Sequence, residues 1–227
     1  MTEHRHPEHS EHDSTGSTGS AAQVWDEKYR SRAKIWSGEP NPQLIAEAAH
    51  LPPGMALDLG CGEGADAIWL ASRGWKVTAV DVSAVALERA EAHAQERGQS
   101  GNITWVRQDL ATWVPGELFD LVTAQFLHST VMPWQQALQL AAAAVRTGGT
   151  LLIVGHHPDG LPPWGQHHDH AAERFYTAEQ LARELGIEAP QWRLDVVDTR
   201  HRSATGPDGE AAALTDAVLR GTRLAAH

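Results

Sequence analysis

A glycine-rich, acidic segment, residues 55–81 (MALDLGCGEGADAIWLASRGWKVTAVD), contains the residue types and spacings that most clearly indicate chemistry. Its first apolar run ends at the alternate glycines Gly60, Gly62 and Gly64, and its last apolar run ends at Asp81. Glycines in such a turn let a ligand approach bare backbone. The pattern predicts a strand, a tight turn, a helix, a second strand and an acid, which is an arrangement that holds a nucleoside-bearing cofactor.

The position of Asp58, two residues before the first glycine, decides which nucleoside we expect. Gly60, Gly62 and Ala65 satisfy the loose dinucleotide fingerprint, and Asp81 lies near the distance expected for a ribose contact. The Asp58 carboxylate would repel a pyrophosphate at a helix N-terminus that otherwise suits anions. S-adenosylmethionine (SAM) has no phosphate and carries an ammonium and a sulfonium, so we predict SAM rather than NAD.

Residues 58–64 (DLGCGEG) resemble the D-x-G-x-G-x-G motif of class I SAM-dependent methyltransferases. Asp81 matches that family's acid at the end of the second strand, and residues 108–110 (QDL) match its adenine-side segment after the third strand. The resemblance covers about residues 22–224. Within the class, the chain is most similar to the small tellurite-resistance and thiopurine-type enzymes. The fold we expect is a single Rossmann-like, doubly wound α/β domain of about seven strands, mostly parallel with an antiparallel last strand.

The predicted cofactor contacts come from the glycine motif, from the family resemblance, from the possible lid and from the end of the fourth strand. The Asp81 carboxylate suits the two ribose hydroxyls, and the resemblance implies that Asp109 binds the adenine amino group. Cys61 is interpreted as a small residue tolerated in a crowded loop rather than as a nucleophile. The predicted cofactor-binding set is Trp25, Tyr29, Asp58, Gly60, Cys61, Gly62, Asp81, Val82, Asp109, Leu110 and Gln125.

The first fifty residues divide into a tail and a covering region. Residues 1–22 are rich in His, Ser, Thr and Gly, cannot bury a core, and are predicted to be disordered. The domain is expected to span residues 23–227, and residues 23–50 form a helical lid in the resembled family. Trp25 and Tyr29 lie at helical i, i+4 spacing, so they face the cofactor as part of the lid or simply pack on the sheet.

The remaining chain alternates strand and helix patterns. We expect a long Ala/Leu helix at Pro133–Arg146, and residues 214–224 fit either a helix or, after a hairpin-like turn, an antiparallel strand. The other predicted strands are Met55–Leu59, Lys76–Val80, Ile103–Arg107, Phe119–Ala124, Thr150–Gly155 and Trp192–Arg200.

Histidines and tryptophans after the fourth and fifth strands are the candidates for the acceptor side. An imidazole pKa near 6.5 suits His128 as a general base for a hydroxyl or thiol, although a histidine bonded to neighbouring backbone fits equally. His156 is a second candidate base. The predicted substrate-contacting set is Trp36, His128, His157 and Trp164. The clusters at 156–157 and 167–170 could bind a divalent ion, but their spacing is not a recognised metal motif, so no metal is predicted.

Bulk properties narrow the partners. A formal net charge of −11 disfavours a phosphate backbone, so no nucleic-acid partner is expected. There is no run of 18 apolar residues and no signal-peptide core, and the one cysteine fits a reducing cytoplasm. We therefore expect a cytoplasmic monomer or homodimer that does not bind membranes.

The function predicted from these patterns is methyl transfer from SAM to a heteroatom of a small molecule, either O, N, S or a related chalcogen, with release of S-adenosylhomocysteine (SAH). Two alternatives remain open. One is an NAD(P)-dependent oxidoreductase, which Asp58 and the lack of an obvious proton-relay pattern disfavour. The other is a SAM-binding protein that does not catalyse a reaction.

Overall fold

A seven-stranded sheet with the strand order β3-β2-β1-β4-β5-β7-β6 forms the centre of the chain. The computed structural model describes residues 20–129, 131–161, 163, 174–206 and 209–225. The strands are β1 (Met55–Leu59), β2 (Lys76–Asp81), β3 (Ile103–Arg107), β4 (Phe119–Gln125), β5 (Val145–His156), β6 (Trp192–Thr205) and β7 (Ala211–Arg223). The first five are parallel and β7 is antiparallel to both of its neighbours. The predicted Rossmann-like architecture with an antiparallel last strand is confirmed.

The strand order reverses between β1 and β4, and this point determines where a ligand binds. From β1 the chain adds β2 and β3 on one side, and then returns to place β4 and β5 on the other side. Helices therefore leave this junction in opposite directions and open a crevice at the carboxyl ends of the strands, where open α/β sheets bind ligands.

Six described helices surround the sheet, and local capping explains where several of them begin. The Ser83 and Thr177 side chains accept hydrogen bonds from backbone N–H groups in the first turns of α4 and α6, and Gly186 ends α6 in a left-handed conformation. The helices are α1 (Ala21–Arg30), α2 (Pro42–Ala48), α3 (Ala65–Ser72), α4 (Ala84–Glu96), α5 (Trp134–Ala143) and α6 (Ala178–Leu185). None of the helices in the described ranges is both long and apolar enough to cross a bilayer.

Two helices differ from the prediction in where they begin or end. Helix α1 begins at Ala21, inside the segment expected to be disordered, because Ser20 and Gln23 form a reciprocal capping box. The Ala/Leu helix ends at Ala143 rather than Arg146, because Val145 pairs with Phe119 and already belongs to β5. Helix propensity here gives way to a sheet contact.

The last two strands form a hairpin that is longer than predicted. Strand β6 continues five residues past Arg200, and the pairing of β5 with β7 ends at His156 and Asp216. Beyond that pair, the Thr215 carbonyl accepts one bond from the His157 N–H (2.9 Å), and the strand paired with β7 is β6, as far as Thr205 and Ala211. The end of the hairpin is therefore a two-stranded ribbon that extends past the sheet.

Candidate cofactor and acceptor site

A cavity of about 1020 Å³ opens at the carboxyl ends of the central strands, at the reversal of strand order. Helix α1 and the segment after it cover one side, and the β6–β7 ribbon forms another wall. Most of the predicted site residues line this cavity: Trp25, Tyr29, Trp36, Asp58, Gly60, Cys61, Gly62, Asp81, Val82, Asp109, Leu110, Gln125, His128 and His156.

The glycine turn leaves the backbone exposed to the cavity. Gly60 and Gly62 have φ values of +68° and +53°, which side-chain-bearing residues rarely adopt. A Cβ atom at Gly60 would lie 2.5 Å from Leu127 Cδ1, and one at Gly62 would lie 2.9 Å from Tyr29 Oη. Both glycines are therefore required by conformation and by space.

Two buried carboxyl groups, those of Asp58 and Asp81, and the half-buried one of Asp66 line the cavity beside the glycine turn. Asp58 is only 2% exposed, and its Oδ2 has no hydrogen-bond partner. Burial, followed by the negative charges of Asp66 and Asp81, raises the pKa of Asp58 well above its usual range. Burial raises the pKa of Asp66 to about 6. Acids held this way favour a cation placed between them.

The Asp81 and Asp109 carboxylates also organise the backbone around them. Asp81 Oδ2 accepts a hydrogen bond from the Gly62 N–H (3.0 Å), and its Oδ1 accepts one from the Ser83 N–H (2.8 Å). Burial raises the pKa of Asp81, although these backbone bonds partly offset the effect. Asp109 Oδ1 accepts a bond from the Ala111 N–H at 2.9 Å. Each carboxylate keeps further lone pairs that can accept ligand hydroxyl or amino groups.

The covering segment, which we define as residues 21–42, is attached to the glycine turn through Glu63. The two carboxylate oxygens of Glu63 divide their contacts: Oε2 accepts bonds from the Ile35 and Trp36 N–H groups (3.2 and 3.1 Å), and Oε1 pairs with Arg89 at 2.9 Å. Arg89 also donates to the Tyr29 carbonyl at 2.8 Å. A partly buried ion pair between the turn and α4 thus holds the covering segment where it continues past helix α1.

Further contacts place the two ends of the covering segment. At its start, Asp26 Oδ1 accepts a bond from Ser83 Oγ at 2.6 Å. At its end, the Asn41 backbone N–H donates to Asp66 Oδ1 (2.7 Å), and the Asn41 side chain donates to Gln125 Oε1 (2.8 Å). Asp66 and Gln125 therefore connect this segment to the first turn of α3 and to the end of β4.

At the other end of the cavity, His128 has a defined tautomer. Its Nδ1 lies 2.9 Å from the Arg174 carbonyl oxygen and its Nε2 lies 3.0 Å from the His156 N–H. The Nδ1 atom must donate and the Nε2 atom must accept, so the ring is neutral with its proton on Nδ1. Both nitrogens are occupied by backbone groups, which favours the structural alternative for His128 over a general base.

The His128 ring belongs to an aromatic cluster that forms the wall at this end. It stacks on His156 with 5.5 Å between centroids and meets the edge of Phe175 at 4.9 Å. Phe126 packs 4.5 Å from His156 and has a φ of +52°. A bulky residue in the left-handed region is uncommon and is concentrated at ligand sites.

One predicted substrate residue, His157, does not line the cavity. The His157 side chain accepts a bond from the Asp159 N–H (3.1 Å) and caps a 3₁₀ turn at Pro158–Gly160, so it is not one of the lining residues. Trp164 and the histidines of the 167–170 cluster lie outside the described residues. Cys61 lines the cavity as a protonated thiol, because burial raises its pKa.

The sequence analysis missed Glu63, Asp66, Arg89 and Asn41. Asp66 follows the glycines by two residues in the first turn of a predicted helix, where acids are favoured, so its position was a usable signal. Asn41 before Pro42 is a helix N-cap pattern that could have been recognised. The role of Arg89 depends on tertiary packing and has no local signal.

Comparisons with known proteins agree with this geometry. The family profile described as "Methyltransferase domain" matches residues 56–149. A "Probable thiol methyltransferase 2" of Arabidopsis thaliana is 28% identical over 62% of this chain, and a "Thiocyanate methyltransferase 1" of Brassica oleracea is 31% identical over 62% of it. This chain spans 66% of the length of each.

A solved structure described as "Conversion of a Disulfide Bond into a Thioacetal Group during Echinomycin Biosynthesis" has the same fold. Its TM-score is 0.69 at 24% identity, and the match covers 90% of this chain and 92% of that chain. The chain belongs to the class I SAM-dependent methyltransferases. The family resemblance carried by residues 58–64 is thereby confirmed.

The residues that line this site fit SAM, the cofactor after which the family is named. The unpartnered Asp58 Oδ2 and the neighbouring Asp66 carboxyl suit an ammonium, and the acid at the end of β2 suits ribose hydroxyls. The space beside Gly60 and Gly62 would be filled by any Cβ atom. A pyrophosphate would face three carboxyl groups here, which disfavours a dinucleotide.

Replacing Asp66 with Asn should separate stability from ligand affinity. The pKa of about 6 exceeds the unfolded value of 3.8, so the free protein loses stability as pH rises through 4 to 6. At pH 7.5 the variant should be more stable by about 1–3 kcal/mol, which thermal unfolding measures. Its affinity for SAH should be weaker, because one carboxylate no longer faces the ammonium.

Calorimetry across pH completes this test. SAH affinity of the parent protein should fall as pH decreases through about 6, and the fall should be smaller in Asp66→Asn. Asp159→Asn is the matched control, since that side chain is 90% exposed and outside the cavity. A variant that keeps both the parent affinity and the parent pH dependence would contradict the role of Asp66.

Replacing Glu63 with Gln should release the covering segment. The variant leaves Arg89 without its buried carboxylate partner, an effect that typically costs about 3–5 kcal/mol. Trypsin cleavage after the exposed Arg30, Arg32 and Lys34 should then become faster. Glu39→Gln, an exposed change in the same segment, is the control, and equal cleavage rates in the two variants would show that Glu63 does not hold the segment.

Proposed function

We propose that this protein transfers a methyl group from SAM to the sulfur of a small thiol or a related soft anion. The observation that carries the proposal is one continuous cavity with two chemically different ends. One end has the glycine turn and three acids, two of them buried, and the other is walled by aromatic rings. Such a cavity can hold a cationic nucleoside and a small acceptor in contact.

The chain's own residues would orient the cofactor without taking part in bond changes. When bound, SAM would supply a methyl group on a sulfonium: the acceptor bonds to the methyl carbon and the thioether SAH leaves. Asp58 and Asp66 would hold the amino-acid end, Asp81 the ribose, and Asp109 with Leu110 the adenine edge. The covering segment would exclude water. Orientation of this kind can supply about 7–11 kcal/mol of a barrier.

The state of His128 supports sulfur over oxygen as the acceptor atom. An alcohol needs a base, and both His128 nitrogens are bonded to backbone groups. A thiol ionises with a pKa of about 8.5, and its thiolate needs no further activation. His156 belongs to the same wall, and its Nδ1 lies 4.0 Å from Asp216 Oδ1, so it would help to shape the acceptor space. The names of the two plant relatives, a thiol and a thiocyanate methyltransferase, agree with this choice.

A screen of acceptors with SAM should therefore give SAH release with small thiols in preference to phenols, amines and a short RNA. Gly62→Ala should abolish turnover, because its Cβ would lie 2.9 Å from Tyr29 Oη. Gly98→Ala is the matched control: its φ is +66°, and nothing lies within 4 Å of the added Cβ. Tight SAH binding without turnover of any acceptor would instead indicate a SAM-binding protein that is not an enzyme.

His128→Asn should lower stability without removing a catalytic base. Losing the bonds to the Arg174 carbonyl and the His156 N–H should cost about 1–3 kcal/mol. The acidic limb of the pH–rate profile should stay where it is in the parent enzyme. His50→Asn, at an exposed position outside the cavity, is the control. Loss of that limb with stability unchanged would return His128 to the role of general base.

A further inference from the structure

Two cations, Lys28 and Arg174, line the cavity without a carboxylate partner in the part of the chain that the structure describes. Lys28 extends from α1 in the covering segment, and Arg174 comes shortly before α6. The Arg174 Nε atom is buried and has no hydrogen-bond partner. A buried N–H group without a hydrogen bond costs free energy. A guanidinium in this state therefore indicates that a ligand supplies the acceptor.

The other arginine deep in this part of the cavity is already neutralised. Arg202 donates from Nε to Asp216 Oδ2 at 2.8 Å, and its guanidinium carbon lies 5.2 Å from the Phe126 ring centroid. Arg32 and Lys28 are both exposed, but the Lys28 ammonium also stands over two tryptophan rings. The positive charge available to a ligand thus comes mainly from Arg174, whose Nε is buried, with Lys28 as the neighbouring cation.

The two cations are close enough to repel each other, and each lies over aromatic rings. The Lys28 ammonium stands over the Trp25 and Trp36 rings, 4.3 and 5.1 Å from their centroids. Burial, and then the like charge of Arg174, lowers the pKa of Lys28. The Arg174 guanidinium carbon lies 5.5 Å from the Phe175 ring centroid. An anion between Lys28 and Arg174 would relieve this repulsion.

Charge is therefore segregated along the cavity. The acids Asp58, Asp66 and Asp81 surround the glycine turn, whereas Arg174 adjoins the wall formed by His128 and Phe175. A cationic cofactor and an anionic acceptor would each meet the opposite charge. The same field would disfavour exchange of their positions.

We infer that Lys28 and Arg174 form an anion subsite for the methyl acceptor, which selects small thiols that carry a carboxylate. This inference rests on the proposed function. The planar guanidinium suits a carboxylate through paired N–H bonds, and the ammonium adds a point charge on the other side. The subsite would set which thiol binds, while the transfer itself depends on the cofactor end.

The test compares 3-mercaptopropionate with its methyl ester, which is the same thiol without the charge. In SAM-loaded Arg174→Gln, KM for 3-mercaptopropionate should rise about 10- to 100-fold, and KM for the ester should change less than about 2-fold. Lys28→Met should act in the same direction. Arg174→Lys should recover part of the loss, because it restores the charge without the planar donor pair.

Arg183→Gln and Lys34→Met are the matched controls, since both side chains are exposed and outside the cavity. SAH affinity, measured by calorimetry, should be unchanged in all variants, which also shows that each is folded. Weaker SAH binding in Arg174→Gln, with the preference between the two thiols intact, would mean that the cations hold the cofactor's own carboxylate. That result, or equal losses for both thiols, would overturn the inference.

A binding measurement on the SAH complex, in which no methyl group can be transferred, tests the subsite independently of the proposed function. Trp25 and Trp36 lie beside Lys28, so 3-mercaptopropionate added to the SAH complex should change tryptophan fluorescence, and the ester should not. If no acceptor is methylated but the charged thiol still binds, the proposed function fails and the subsite stands. If acceptors are methylated and the charged thiol binds no better than the ester, the subsite fails alone.

Discussion

Repulsion among buried carboxyl groups is the constraint on which the site depends. Asp58 and Asp81 are buried and Asp66 is half-buried around one glycine turn, and the Asp58 Oδ2 atom has no donor. A protein gains nothing in its own stability from such an arrangement, because burial and like charge both disfavour the ionised forms. The arrangement makes sense when a cation completes it. The acids thus exchange folding stability for affinity, as strained sites commonly do.

The same turn also determines how the cavity is covered. The Glu63 carboxylate binds backbone N–H groups of the covering segment and the Arg89 guanidinium. Asp66 contacts the segment's other end through Asn41. Ligand binding and cover placement therefore share residues on one short stretch of chain, so a change in the turn would be felt in both.

The sequence was informative where chemistry and local pattern coincide. The alternating glycines, the acid at the end of β2 and the buried apolar runs predicted the fold and the central residues of the cofactor end of the cavity, because each requirement is local. Asp66 carried a local signal that was not used. The interactions of Arg89 and Arg174 join distant segments, and the bonds that occupy both His128 nitrogens come from residues 28 and 46 positions away. No periodicity or spacing in the sequence indicates such long-range contacts. The His128 tautomer and the distribution of charge along the cavity therefore follow only from the three-dimensional structure.

The ribbon at the end of the β6–β7 hairpin has a consequence for how acceptor choice can diversify. Past the His156–Asp216 pair, its two strands pair with each other and have left the pairing with β5, yet Arg202 to Gly206 and Leu214 line the cavity. Residues added or removed there would reshape the acceptor wall while the parallel strands and the glycine turn keep their register. Proteins that share this sheet could in this way evolve to accept new substrates while the site that holds the methyl donor stays the same.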